Sequence, residues 1–206
     1  PELYMAMTAT QAVGCVPVPM YQDSVADEMQ YVLKHAETRF AVVQDQEQVD
    51  KLLEIMDRCP NLEQIIFKFP RGLRNYTQPF LHDIMEIKEQ GRAFDKENPD
   101  FYAAGIARGK GEDLAIMLYT SGTTGQPKGV MLSFDNLIIS ARNAIEFEGL
   151  RENDEVVAYM PMAWVGDNIF SFAQSYVSGF CVSCPESPDT VLLDLREVGP
   201  TYFFAP

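Results

Sequence analysis

Cysteine, basic residues and long apolar runs are all scarce in this sequence. Four cysteines in 206 residues fall far below the density of a disulfide scaffold and favour a reducing, cytoplasmic setting. No stretch approaches the roughly 20 uninterrupted apolar residues that a membrane-spanning helix needs. Lys and Arg number 16 against 30 Asp and Glu, a net charge of −14. A chain this acidic repels polyanions at long range, which argues against nucleic acid as a partner. An anionic ligand then requires a local site built from backbone N–H groups, a lysine or a metal ion. No internal repeat, low-complexity tract or signal peptide is visible. What remains is ordinary globular composition, 47% apolar, 11% aromatic and 22% charged. That excludes disordered, collagen-like and coiled-coil chains.

The apolar residues form short runs that alternate with helical patterns. The opening Glu2 to Val13 reads as helix, and strands are expected over 16–21, 40–44 and 64–69. Ser24 with Asp27 three residues on predicts a helix cap, followed by an apolar face of Val25, Met29, Val32, Leu33 and Ala36. Asp45 with Gln48 opens another helix with the face Val49, Leu52, Leu53 and Met56, stopped by Pro60. Residues 70–111 are the least regular, with short helices expected near 81–90 and 101–107. Beyond Asp113 the rhythm resumes with a strand over 114–120, a Gly-rich loop and a strand over 129–132. Ser133 then caps a helix bearing Leu137, Ile138, Ala141, Ala144 and Ile145. Strands follow over 155–160 and 179–184, with a helix beginning near Asp167 between them. Ser187-Pro188 starts a last helix with the face Val191, Leu192, Leu195 and Val198, and Gly199-Pro200 ends it.

Strands separated by single helices need crossover connections. The expected class is therefore α/β, with mostly parallel sheets flanked by helices in αβαβα layers. A seam near 109–113 divides the chain into segments 1–110 and 111–206. A start at Pro1 and an apolar run ending at Pro206 read as a piece cut from a longer protein.

The densest chemistry lies in Met117-Leu-Tyr-Thr-Ser-Gly-Thr-Thr-Gly-Gln-Pro-Lys-Gly129. A buried-looking strand runs into a loop with hydroxyls at Thr120, Ser121, Thr123 and Thr124, glycines at 122, 125 and 129, and Lys128. Glycines let backbone N–H groups turn towards a ligand, hydroxyls donate to phosphate oxygens, and the lysine supplies a local positive charge. After a strand, the combination describes a polyphosphate cradle. It is not a Walker A loop: Pro127 precedes the lysine and Gly129 stands where the magnesium-binding Ser or Thr would be. The next helix also begins only at Ser133, after a second strand, so a helix N-terminus cannot hold the phosphate.

Tyr119 to Gly129 resembles the signature loop of the adenylate-forming superfamily, which includes acyl-CoA synthetases, aryl-CoA ligases, luciferases and peptide-synthetase adenylation domains. The continuation Val130-Met-Leu-Ser-Phe-Asp-Asn-Leu137 is similar to that family's, with Phe134-Asp135 where a His is frequent. Upstream, Ala9 to Tyr21 resembles its small-residue helix and following strand. Downstream, Asp194 to Pro206 resembles long-chain acyl-CoA synthetases. The resemblance implies that a carboxylate attacks the α-phosphate of ATP to give an acyl-adenylate and pyrophosphate, after which the thiol of CoA displaces AMP. It also implies that Thr120, Ser121, Gly122, Thr123, Thr124, Gly125 and Lys128 grip the β- and γ-phosphates, with Thr120 a Mg2+ ligand. Met160-Pro-Met-Ala-Trp164 resembles the next core motif, which would put Trp164 beside the acyl pocket and the adenylate; plain core packing is the alternative.

The expectation is thus a fragment of an AMP-forming, ATP-dependent acid-thiol ligase, its acid a long-chain fatty acid, with ATP, the fatty acid and CoA as small-molecule partners and peripheral membrane contact open to the full-length protein. Other adenylate-formers, namely an aryl-CoA ligase or an amino-acid adenylation domain, remain open, as does an inactive nucleotide-binding module. The family's Tyr-Gly-x-Thr-Glu segment, ribose-binding Asp and C-terminal domain with its lysine have no match here, so no catalytic residue is assigned and the segment alone is expected to be inactive. Gly166-Asp167-Asn168 reads as a helix N-cap. Cys181-Val-Ser-Cys184 has the C-x-x-C form, but residues three apart on a strand face opposite ways, so buried free thiols are expected. Ser121 lacks the G-x-S-x-G elbow of a hydrolase nucleophile. The 121–128 loop, rich in glycine and hydroxyls, is expected to be mobile without phosphate.

Overall fold

The computed structural model describes residues 1–120 and 126–205. The chain opens with helix α1 (Glu2–Ala12). This helix belongs to a compact unit made of Pro1–Tyr21, Gly109–Thr120 and the chain from Lys128 onward. Gln22–Arg108, with Pro127, form a second unit.

The second unit is a parallel α/β layer. It contains α2 (Ala26–His35), β1 (Phe40–Val43), α3 (Gln46–Ile55), β2 (Gln64–Phe67), β3 (Leu81–Asp83), α4 (Ile84–Glu97) and α5 (Phe101–Arg108). The strands pair in the order β1-β2-β3, with Phe40 opposite Gln64 and Ile65 opposite Leu81, all parallel. Of the faces expected on α2 and α3, Met29, Val32, Leu33, Val49 and Leu52 are buried, with Ile55 and with Ile65 of β2, whereas Val25 is exposed and Ala36, Leu53 and Met56 are half-buried. Asp45 caps α3 by accepting from the Gln48 N–H. On α2 the cap differs from expectation. Val25 is the N-cap, and its N–H donates to the Glu28 carboxylate at 3.3 Å, so Ser24 is not used. β3 was not foreseen, because three residues are too few to show an alternating pattern. Helices α4 and α5 bury none of their residues and meet edge-on through Phe94 and Phe101.

The first unit holds β4 (Leu114–Thr120), β5 (Lys128–Ser133), α6 (Phe134–Glu148), β6 (Glu155–Val157), α7 (Val165–Asp167), a π-helical turn (Asn168–Ala173), α8 (Gln174–Ser178), β7 (Cys181–Ser183) and α9 (Val191–Val198). β4 and β5 are an antiparallel hairpin, and β6 and β7 a parallel pair. The expected α/β class holds. The core joins Met7 of α1, Ala115, Ile116 and Leu118 of β4, Leu137 and Ala141 of α6, Met162, and Phe172 and Ala173 of the π turn. Ser133 caps α6 as expected: the Asn136 N–H donates to its Oγ at 3.2 Å, and its own N–H donates to Asn136 Oδ1 at 3.0 Å. Gly149 ends α6 with φ of 69°, a conformation that favours glycine.

Two expectations fail here. Residues 16–21 form no strand: they make one ladder-like bond, from the Met117 N–H to the Pro17 carbonyl at 3.1 Å, and Pro17 and Pro19 have no N–H to give. The last helix begins at Val191 rather than Ser187, because the Thr190 hydroxyl bonds to Ser187 and Asp194 and makes 187–190 a turn.

Candidate functional site

The β4–β5 hairpin is the stem of the candidate site. Its register puts Thr120 opposite Lys128 and Tyr119 opposite Gly129 at the open end. Ile116 and Leu118 are 0% and 2% exposed, which anchors β4, while Thr120 and Lys128 are both exposed. A buried strand therefore delivers a hydroxyl, and its partner an ammonium group, to the same edge. Gly129 has a packing reason to lack a side chain: a Cβ there would stand 3.0 Å from Met117 Sδ and 3.3 Å from the Tyr119 ring. Ser121, Gly122, Thr123, Thr124 and Gly125 lie outside the described residues, and with them the expectation of a mobile loop. Pro127, just before Lys128, is held within the second unit. The Tyr31 hydroxyl of α2 donates to its carbonyl at 2.9 Å, and the Tyr31 ring stacks on His35 at 5.6 Å. A groove of about 340 Å³ runs along Gln30, Tyr31, Lys34 and His35. Sequence reasoning missed Tyr31, because nothing local links positions 96 residues apart.

The second element is the chain from β6 to α8. Trp164 is half-buried, and its ring stacks on Phe204 at 5.9 Å. Phe204 in turn stacks on Phe170 at 4.1 Å, and Tyr159 on Phe203 at 5.7 Å. The Tyr159 hydroxyl donates to the Phe204 carbonyl at 2.9 Å and ties the two aromatic pairs together. The expected N-cap at 166–168 is corrected: Trp164 is the N-cap, and Asp167 and Asn168 lie inside the helical segment, 1% and 0% exposed. Asn168 opens the π turn, in which the Gln174 N–H donates to the Ile169 carbonyl five residues back.

Asp167 accepts from the Tyr4 hydroxyl at 2.8 Å through Oδ2, while Oδ1 has no partner among the described residues. Burial pushes its carboxyl up to about 6, against hydrogen bonds from Tyr4 and Ser171 that pull it down. Burial likewise raises the Tyr4 hydroxyl well above its ordinary value, and the Asp167 charge adds to that. Tyr4, Asp167, Asn168 and Ser171 are thus a buried polar seam inside an apolar core. The sequence carried no sign of it, since Tyr4 and Asp167 are 163 positions apart.

The C-x-x-C pair is also corrected. Cys181 is exposed and Cys184 half-buried, because β7 is a three-residue edge strand that covers neither thiol. Among the described residues no group of three or more His, Cys, Asp or Glu is placed to hold a metal ion, and no helix is long and apolar enough to cross a membrane.

The chain resembles known proteins over nearly its whole length. The chain is 30% identical to the long-chain-fatty-acid–CoA ligase ACSBG2 of Xenopus laevis, over 98% of its own length and 28% of that protein's. It thus spans under a third of the curated relatives it matches. Its fold is similar to that of the anthranilate CoA ligase AuaEII solved with anthranoyl-AMP, with a TM-score of 0.72 at 21% identity over 95% of this chain and 36% of that one. It is also similar to a long-chain-fatty-acid-CoA ligase (FadD1) from Archaeoglobus fulgidus, with a TM-score of 0.68 at 19% identity over 97% and 36%. The profile of the AMP-binding enzyme family matches residues 1–206, and the chain belongs to that family.

Proposed function

We propose that this chain is the phosphate-gripping part of an AMP-forming acyl-CoA synthetase that activates a long-chain fatty acid with ATP and passes the acyl group to CoA. The observation that carries the reading is the rigid β4–β5 stem, which presents Thr120 and Lys128 side by side at its open end. The resemblance to long-chain-fatty-acid–CoA ligases supports the substrate class. In this reading Thr120, Ser121, Gly122, Thr123, Thr124, Gly125 and Lys128 hold the β- and γ-phosphates. Their donors and the ammonium group neutralise charge as pyrophosphate departs, which is most of what a protein supplies to phosphoryl chemistry. The exposed Thr120 hydroxyl fits a magnesium ion, a hard cation that takes few protein ligands and fills its shell with phosphate oxygens and water. Bound there, the ion would add charge stabilisation to the phosphates. Trp164 and its aromatic neighbours form a wall for the acid and the adenylate.

Residues 1–110 and 111–206 are both segments of the large N-terminal domain in this reading, so catalysis needs parts of the protein beyond them. A cytoplasmic location agrees with four free cysteines. Peripheral membrane contact agrees with the apolar side chains exposed on α4 and α5, Met85, Phe94, Phe101, Tyr102 and Ile106.

The test is pyrophosphate exchange by the full-length protein. Exchange is expected to depend on a long-chain fatty acid and to fall about a hundredfold in Lys128→Ala, the size of effect seen when one transition-state donor is removed. Exchange driven only by aryl or amino acids would replace this reading with another adenylate-former. Acid-dependent exchange by residues 1–206 alone would overturn the division of labour.

A further inference from the structure

Asn168 is buried completely and spends its side chain on two backbone carbonyls. Its Nδ2 donates to the Met162 carbonyl at 2.6 Å and to the Trp164 carbonyl at 2.9 Å. Both N–H bonds of one amide are therefore used to fix the three-residue stretch that ends in Trp164. Met162 is itself buried in the core with Ile116 and Leu118, so one end of the stretch is immobile. The other end carries the half-buried indole. Gly166 completes the fit: a Cβ at that position would stand 2.0 Å from Trp164 Cζ3 and 2.3 Å from Cη2. The indole thus lies directly over the backbone of Gly166, with Phe204 stacked at 5.9 Å.

We propose that Asn168 is a positioning residue that fixes Trp164 and thereby sets how tightly the acid is held, without touching the acid itself. This rests on Trp164 lining the acid pocket. An amide suits the task because it offers two donors from one nitrogen, whereas a hydroxyl offers one and a carboxylate none. Trp164 is the N-cap of α7, and its carbonyl accepts from this side chain four residues on.

Trp164 is the only tryptophan in these 206 residues, so its fluorescence reports the clamp directly. In the full-length enzyme, the difference in emission between each variant and the same variant carrying Trp164→Phe isolates this indole. Asn168→Ala is expected to shift that emission to the red. It should also raise KM for the acid about tenfold, the size expected when one or two buried hydrogen bonds go. KM for ATP should stay within about twofold. Gly166→Ala, which pushes on the ring and leaves the amide in place, is expected to move the same two readouts, and it serves where Asn168→Ala does not fold. Unchanged emission in a folded Asn168→Ala would overturn the proposal. So would a rise in both KM values by the same factor, which marks a loss of structure alone. Trp164→Ala separates the two readings: if it leaves the acid KM unchanged while Asn168→Ala still shifts the emission, the pocket reading fails and the clamp stands.

Discussion

The β4–β5 hairpin and the helical segment that follows Trp164 handle polar groups in opposite ways. The hairpin buries only apolar side chains and sends Thr120 and Lys128 into solvent at its open end. The helical segment does the reverse: Asp167, Asn168, Ser171 and Gln174 are all buried, on a stretch that leaves Val165 and Tyr176 exposed. An exposed donor costs nothing while no ligand is present, since water satisfies it. A buried one needs a partner within the protein, or it costs about 1–3 kcal/mol. The hairpin is thus built to meet something from outside. The helical segment instead fixes Asp167 through Oδ2 and Asn168 through Nδ2, and leaves Asp167 Oδ1, Asn168 Oδ1 and both polar side-chain atoms of Gln174 buried without a partner among the described residues.

Three substitutions probe that contrast. The largest effect is expected from Ile116→Ala, which removes a fully buried side chain from the centre of β4. It should cost about 4 kcal/mol, seen as a lower denaturant midpoint with an unchanged slope. Because Ile116 contributes apolar packing and no titratable group, the loss should not depend on pH.

The polar segment should behave differently. Asp167 ionises at about 6 in the folded chain against an ordinary 3.8, chiefly because burial disfavours its charge. The folded state therefore keeps a proton that the unfolded chain has already lost between these values. The stability it contributes is full below about pH 4 and is lost as pH rises through 6, by at most about 3 kcal/mol. Asp167→Asn should flatten that part of the stability–pH curve. A slope that persists in the variant would assign it to another group.

The smallest effect concerns the hairpin's open end. Tyr31→Phe removes the hydroxyl that donates to the Pro127 carbonyl, a bond worth about 1 kcal/mol. KM for ATP in the full-length enzyme should rise up to about fivefold, with KM for the acid unchanged. Equal changes in both would show that the Tyr31 bond supports the fold generally rather than the phosphate end.

These differences also explain how far sequence reasoning reached. Strand β4, the loop and β5 follow one another within 20 residues, and hydroxyls, glycines and a lysine at fixed spacing state their chemistry locally. The caps at Asp45 and Ser133 were readable for the same reason, since a cap involves residues three apart. The polar seam was not readable. Tyr4 meets Asp167 only once α1 has packed against the later helices, and an Asp-Asn pair near a glycine looks like a cap whichever way it is used. The strand expected at 16–21 failed on a local fact underweighted in the pattern, two prolines in three residues.

The π turn at 168–173 has a consequence for chain length. Its bonds span five residues where an α-helical turn spans four, so the segment contains, in effect, one residue of slack. Deleting a single residue within it would take up that slack and leave an ordinary helix whose flanking residues keep their faces. Gln174, 0% exposed, and Tyr176, 64% exposed, would stay where they are, and the Thr8–Tyr176 hydroxyl contact at 2.6 Å would survive. The same deletion in α6, an ordinary α-helix, has no slack to draw on and would turn everything after it by about 100°.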